Sequence, residues 1–264
     1  MTRLRGPPRI GEITPTLAHA ALLAAAGLLA GVVGSAGGIT SLISYPALLA
    51  VGLTPLGATV TNSVALVVCW PGSALGSRSE LRGRAPWLLR WGMVAAGGGA
   101  VGAGLLLSTP EGVFGRVVPF LLGLASVALL LQPQLSAWRQ RHGSLTHPLL
   151  LGGGLFTMSL YNGYFGAGAG VMVLTLVLLA VDQRYLLANA LKNMLVGVAT
   201  LVAALGFVIF AAVNWRDAVP LGLGLFLGST LGPGFARWVP ATPLRIVVAL
   251  SGLGLAVRLW LAPT

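Results

Sequence analysis

A chain of 264 residues that is 56% hydrophobic and only 8% charged, with a mean hydropathy of +0.90, lacks the polar side chains to coat a water-soluble globule; soluble domains carry about a quarter charged residues. Its net charge of +11 does not mark a nucleic-acid binder, because the arginines sit between apolar blocks instead of forming one basic stripe. The one cysteine, Cys69, excludes an internal disulfide or a cysteine-based metal cage, and His19, His142 and His147 lack metal-ligand spacing, so no metal or cofactor is expected.

In chain order, Met1 to about residue 16 is a basic N-terminal tail with Arg3, Arg5 and Arg9. It resembles the start of a signal peptide. The apolar run behind it continues into a Gly-rich stretch, so Leu17–Val33 reads as a first membrane helix, with cleavage as the alternative. Further apolar segments are Thr40–Val51, Ala58–Leu75, Trp87–Leu107, Arg116–Leu131, Leu149–Phe165, Val171–Val181, Leu186–Val213, Val219–Val239 and Leu244–Leu261. Thr40–Val51 and Val171–Val181 are too short to span a bilayer, which takes about 20 residues. Each follows a Gly-rich break, GVVGSAGG at Gly31–Gly38 and GYFGAGAG at Gly163–Gly170. The expectation is an all-α polytopic membrane protein of two pseudo-symmetric halves, with about eight spanning helices plus two short half-helices or re-entrant segments.

The duplication runs further. Gly34 aligns with Gly166, Gly38 with Gly170, Ala58 with Ala188, Gly98–Gly104 with Gly228–Gly234, and Arg116 with Arg245, at nearly constant offset. The first repeat is then 17–131 and the second 149–264. Between them, 132–148 is the most hydrophilic interior stretch and reads as a cytoplasmic loop. With the short segments not crossing, Arg3, Arg5, Arg9, Arg78, Arg82, Arg84, Arg90, Arg139, Arg141, Arg216 and Arg258 fall inside. Arg116, Arg184, Arg237 and Arg245 fall outside, which satisfies the positive-inside rule with a cytoplasmic N-terminus. Four crossings per half would make parallel repeats, five inverted ones.

Thr59, Asn62 and Ser63 share one helix face by their i, i+3, i+4 spacing, with Thr61 beside them. Asn189, Lys192 and Asn193 repeat that spacing in register, so the two triads would face each other across a two-fold axis. They would otherwise serve as hydrogen-bonding glue between helices. Lys192 is the only lysine. A charge deep in a membrane costs about 2.5–3.5 kcal/mol on insertion scales and usually faces a cavity; closer to the interface it would snorkel to the surface. The five acids, Glu12, Glu80, Glu111, Asp182 and Asp217, fall near loops or span ends, so no carboxylate is expected to pair with it.

The Gly-rich breaks supply the rest of the candidate site. Gly37, Gly38, Gly166, Gly168 and Gly170 permit close backbone approach and positive φ. The short helices that follow, beginning near Thr40 and Ser41 and near Val171, would point free N–H groups at an anion. Ser35, Tyr161 and Asn162 add polar donors. The isolated glycines of Gly97–Gly104 and Gly222–Gly234 read instead as helix packing. GAGAG near Gly166 lacks the context of a dinucleotide fingerprint. No nucleophile–base pair is apparent, so an enzyme is not expected. Cys69, beside Trp70 and Pro71, reads as an apolar filler, with Pro71 kinking or ending its helix.

Gly34–Gly38, Pro46–Leu48 and Ala58–Asn62, repeated as Gly163–Gly170 and Ala188–Asn193, resemble the signature of the TauE/SafE sulfite exporter family, the TSUP transporters. The resemblance covers about Leu17 to Leu261. One departure is Leu191, where the second repeat commonly carries a hydroxyl residue before Lys192. The resemblance implies secondary transport of small sulfur-containing anions such as sulfite, sulfoacetate or a related organosulfonate, across a bacterial inner membrane. A facilitative anion channel and a non-transport scaffold remain as rivals. The sequence leaves open the coupling ion (proton or sodium), the direction, and whether the unit is a homodimer.

Overall fold

The computed structural model describes residues 10–142, 148–235 and 241–261, and among them every regular element is a helix. In chain order these are α1 (Ile10–Gly37), α2 (Thr40–Ala50), α3 (Pro55–Leu66), α4 (Cys69–Gly76), α5 (Arg78–Leu81), α6 (Ala85–Ser108), α7 (Glu111–His142), α8 (Pro148–Tyr164), α9 (Ala169–Ala180), α10 (Tyr185–Phe210), α11 (Trp215–Phe235) and α12 (Ala241–Leu261). Five stretches are long and apolar enough to cross a membrane: Leu17–Ser35, Pro55–Gly76, Ala85–Ser108, Glu111–Gln132 and Tyr185–Phe210. Large apolar side chains such as Leu89, Leu149, Ile209, Phe210 and Leu261 lie on the outside. That exposure suits a lipid-facing belt and would be a liability in water.

Three differences from the expected elements have physical causes. Ala58–Leu75 is not one helix but α3 and α4, broken at Val67 and Val68. Pro71 has no N–H to offer the carbonyl of Val67, and its ring crowds that carbonyl; the chain tightens instead, with Trp70 N–H donating to Val67 O at 3.2 Å. Second, the hydrophilic segment 132–148 is no simple loop: α7 continues helical to His142, and 143–147 lie outside the described residues. Third, α1 begins at Ile10, inside the segment read as a tail. Polarity marks where a helix leaves an apolar medium. It does not mark where its backbone bonding ends.

Glycine contacts fix the packing. Gly27 abuts Leu221 and Leu225, Gly31 abuts Leu225 and Gly228, and Gly232 abuts Ser35, so α1 and α11 run parallel. Gly98 lies on Phe156 and Gly102 on Leu160, so α6 and α8 also run parallel. Each pair joins a helix from one half to a helix from the other. Phe120 stacks edge-on with Trp260 at 4.9 Å, which pairs the start of α7 with the end of α12.

The two short helices fold back on their predecessors. Gly34 lies against Thr40, so α2 reverses beside the end of α1, and Gly154 lies against Leu176, so α9 returns along α8. The turns need glycine at Gly38, Gly166 and Gly168, whose φ values are 79°, 85° and 77°. At the tips, a Cβ on Gly38 would come within 2.5 Å of the Gly170 backbone. The two breaks therefore meet backbone to backbone.

This tracing overturns the sides first given to the arginines. Arg82 and Arg84, from the α5 region, line one surface cavity with Arg184, from the α9–α10 turn. They share an end of the molecule instead of lying on opposite faces. The cause is that each short helix reverses its predecessor, so α1 with α2, and α8 with α9, return to the end they left.

Candidate functional site

A cavity of about 70 Å³ lies where the two hairpin tips meet α4 and α10. A single water needs about 10–15 Å³ on such a measure, so the space suits a few waters or one small ion. Its α10 wall is a regular helical face, Lys192, Val196 and Thr200 at i, i+4, i+8, with Asn193 and Gly197 alongside. Lys192 is only 2% exposed. Among the described residues its ammonium has no hydrogen-bond or ion-pair partner, and the one salt bridge formed, Asp182–Arg184, lies at a surface turn. The side chain thus stays in the interior instead of snorkelling out.

The backbone adds to this charge. α2 starts at Thr40 and α9 at Ala169, and Thr40, Ser41 and Gly170 line the cavity. The first N–H groups of a helix have no intrahelical acceptor, and its N-terminal end carries a partial positive charge. Two such ends and one ammonium converge, with no carboxylate among the lining residues. Chemically the cavity can hold a small anion by charge and N–H donors.

Of the expected site residues, Lys192, Asn193, Ser35, Gly38, Thr40, Asn162, Gly166 and Gly170 line the cavity. Others stand behind it. Asn189 and Asn193 both donate from Nδ2 to the Ser35 carbonyl, at 2.9 and 3.1 Å, and so pin the end of α1 to α10. Tyr161 donates to the carbonyls of Ala167 and Leu121 at 2.8 and 3.1 Å, bracing the second break. Gly168 packs on Ala125, and Gly37 sits in the last turn of α1.

The first-half triad does not line the cavity. Asn62 accepts a 2.6 Å hydrogen bond from Ser44, tying α3 to α2. Thr59 and Ser63 donate back to the carbonyls of Pro55 and Thr59 in their own helix, at 2.9 Å each. Thr61 accepts from the backbone N–H of Asn214. These hydroxyls and the Asn62 carbonyl oxygen are engaged by protein, and the polar groups that line the cavity beside the α10 wall come instead from Ser35, Thr40, Ser41, Ser73 and Asn162.

The cavity also recruits Ser41, Leu66, Cys69, Trp70, Ser73, Val196, Gly197 and Thr200. Thr200, which accepts from Asn162 Nδ2 at 3.0 Å, was within reach of the helical period running on from Lys192. The α4 residues were not, because only the break before Pro71 turns Cys69, Trp70 and Ser73 inward. Among the described residues no three His, Cys, Asp or Glu side chains gather to hold a metal ion.

Apolar helices around a small, buried, cationic cavity define a multi-pass membrane protein of transporter type. Residues 23–259 match the family described as Sulfite exporter TauE/SafE, and the chain belongs to that family. It is 28% identical over 251 residues to the "Probable membrane transporter protein ORF9" of a Sinorhizobium species, covering 92% of this chain and 93% of that one. It is 25% identical over 247 residues to a "Probable membrane transporter protein" of Haemophilus influenzae, at 90% and 93% coverage. Against the "Probable membrane transporter protein YfcA" of Escherichia coli K12 it is 26% identical over 212 residues, at 78% and 76% coverage. No solved structure matches the chain.

Proposed function

We propose that this protein is a secondary transporter of small sulfur-containing anions, such as sulfite, sulfoacetate or a related organosulfonate, across a bacterial inner membrane. The observation that carries the reading is Lys192, buried, with no hydrogen-bond or ion-pair partner among the described residues, where the N-terminal ends of α2 and α9 converge. An isolated cation in an apolar interior is costly, and a bound anion offsets that cost. Asn193, Ser41 and Ser73 would orient the oxygens. Family membership adds sulfite and its relatives as the class of anion.

The parallel pairing of α1 with α11 and of α6 with α8 supports two inverted halves that interlock. In this reading α1–α2 and α8–α9 are re-entrant hairpins, and α3–α4, α6, α7, α10, α11 and α12 cross. Alternating access then moves one half against the other around the fixed hairpin tips. Arg78, Arg82, Arg84, Arg90 and Arg184 lie at one end, while Arg116, Arg216 and Arg258 lie at the other.

The test is uptake of labelled sulfite into proteoliposomes carrying the wild type or Lys192→Met. Saturable flux that counterflow drives uphill, lost in the variant, is the expected result. Unchanged flux in Lys192→Met would remove the site assignment. Flux that neither saturates nor shows counterflow would replace the carrier with a pore.

A further inference from the structure

Trp70 occupies an unusual place. Its side chain lines the polar cavity with Lys192 and also an apolar groove of about 430 Å³ between α6 and α10, open to the outside past Leu89 and Met93. Leu88, Leu89, Met93 and Met194 line that second space. The indole rests on Gly197: a Cβ there would come within 2.5 to 2.8 Å of Trp70 Cδ1, Cγ and Cβ. The ring is thus held by a bare backbone on α10 and by the break ahead of Pro71, which gives α4 its own direction. The polar cavity it bounds is only about 70 Å³.

We propose that Trp70 is the specificity-determining residue that sets the length of anion the cavity accepts. With the indole on Gly197, the space beside Lys192 takes a headgroup without a tail, and sulfite fits that class. An alkanesulfonate places the same three oxygens at Lys192, but its carbon chain runs into the ring. Removing the ring opens the polar cavity into the apolar groove. The tail then gains a lining of leucine and methionine, and methionine adapts to varied apolar shapes. The inference rests on the anion reading of the Lys192 cavity, and it narrows that reading to short anions.

The experiment compares sulfite with 1-pentanesulfonate in proteoliposomes carrying the wild type, Trp70→Ala or Trp70→Phe. In the wild type, sulfite should be preferred. Trp70→Ala should raise the pentanesulfonate-to-sulfite ratio of kcat/KM at least about tenfold, within the range that a few methylenes command in a pocket. Trp70→Phe should fall between. A merely structural role would lower both fluxes together and leave the ratio where it was. An unchanged ratio with sulfite transport intact overturns the proposal. If Trp70→Ala carries neither anion, thermal stabilisation of detergent-solubilised Trp70→Phe by each anion reads the relative affinities, and a preference unchanged from the wild type also overturns it. Absence of sulfite transport by the wild type would instead defeat the anion reading itself, leaving the two failures distinct.

Discussion

α3 and α10 carry polar triads of the same i, i+3, i+4 spacing, yet they spend them differently. On α3 every member is consumed by protein: Asn62 by Ser44, Thr59 and Ser63 by their own helix, Thr61 by the loop ahead of α11. On α10 the two amides brace Ser35, and Lys192 between them is left with nothing to bind. The repeated pattern thus separates into one copy that builds the scaffold and one that supplies charge. On the proposed reading, the repeated pattern would deliver the geometry of a site, and a single unmatched side chain would make it selective for the sign of its ligand.

That contrast breaks most readily at Lys192. Lys192→Met should lower kcat/KM for sulfite about 100-fold or more, the scale of losing one partner of a desolvated charge pair. Asn62→Ala should leave transport within about threefold, because removing a structural hydrogen bond does not touch the ligand's own contacts. Equal losses in the two variants would erase the division of labour. Adding Asn62→Lys to Lys192→Met should not restore flux, since position 62 is aimed at Ser44.

The next effect is on stability. A methyl group at Gly170 has no room against Gly38, and overpacking of this kind costs about 1–3 kcal/mol. Gly104 has nothing within 4 Å of an added Cβ. In detergent, Gly170→Ala should melt several degrees below the wild type, and Gly104→Ala should match or exceed it. Asn62→Ala comes third, costing about 1 kcal/mol for its bond to Ser44, read in the same melting experiment. Thr200→Val removes the acceptor of Asn162 and should raise KM only a few-fold, with the melting temperature preserved. A lower melting temperature with no change in KM would assign Thr200 to the scaffold as well.

The smallest effect lies at the surface turn. The Arg184 guanidinium, 3.0 Å away, together with its backbone N–H, holds the Asp182 carboxyl below the usual carboxylate range. Its contribution to stability is complete above the ordinary carboxylate value of about 4 and fades as pH falls through the lowered folded value. Between pH 6 and pH 3 the wild type should therefore lose a small increment of melting temperature that Asp182→Asn does not lose. Transport at neutral pH should be the same in both.

How much of this was legible beforehand differs by level. Hydropathy marked the apolar segments, and the short length of two of them after glycine breaks marked the hairpins. The lone lysine among polar neighbours marked the α10 wall. The direction of each hairpin was not legible, because a short apolar run reads the same whether it continues or reverses, and the arginine sides followed that error. Nor was the idle state of α3, since a hydroxyl that bonds its own helix has the same sequence signature as one that faces a ligand. Trp70 was hidden for a different reason: its role depends on a notch at Gly197, far away in sequence.

The contact between Gly38 and Gly170 has an electrical consequence. A protein in an energised bilayer must not short-circuit the ion gradients around it. Here the two hairpins meet through main chain at the edge of the cavity, with no room at the point of contact for a side chain on either glycine. In the proposed transporter such a contact would insulate as well as bind, and glycine at these two places would keep the anion path from also leaking protons.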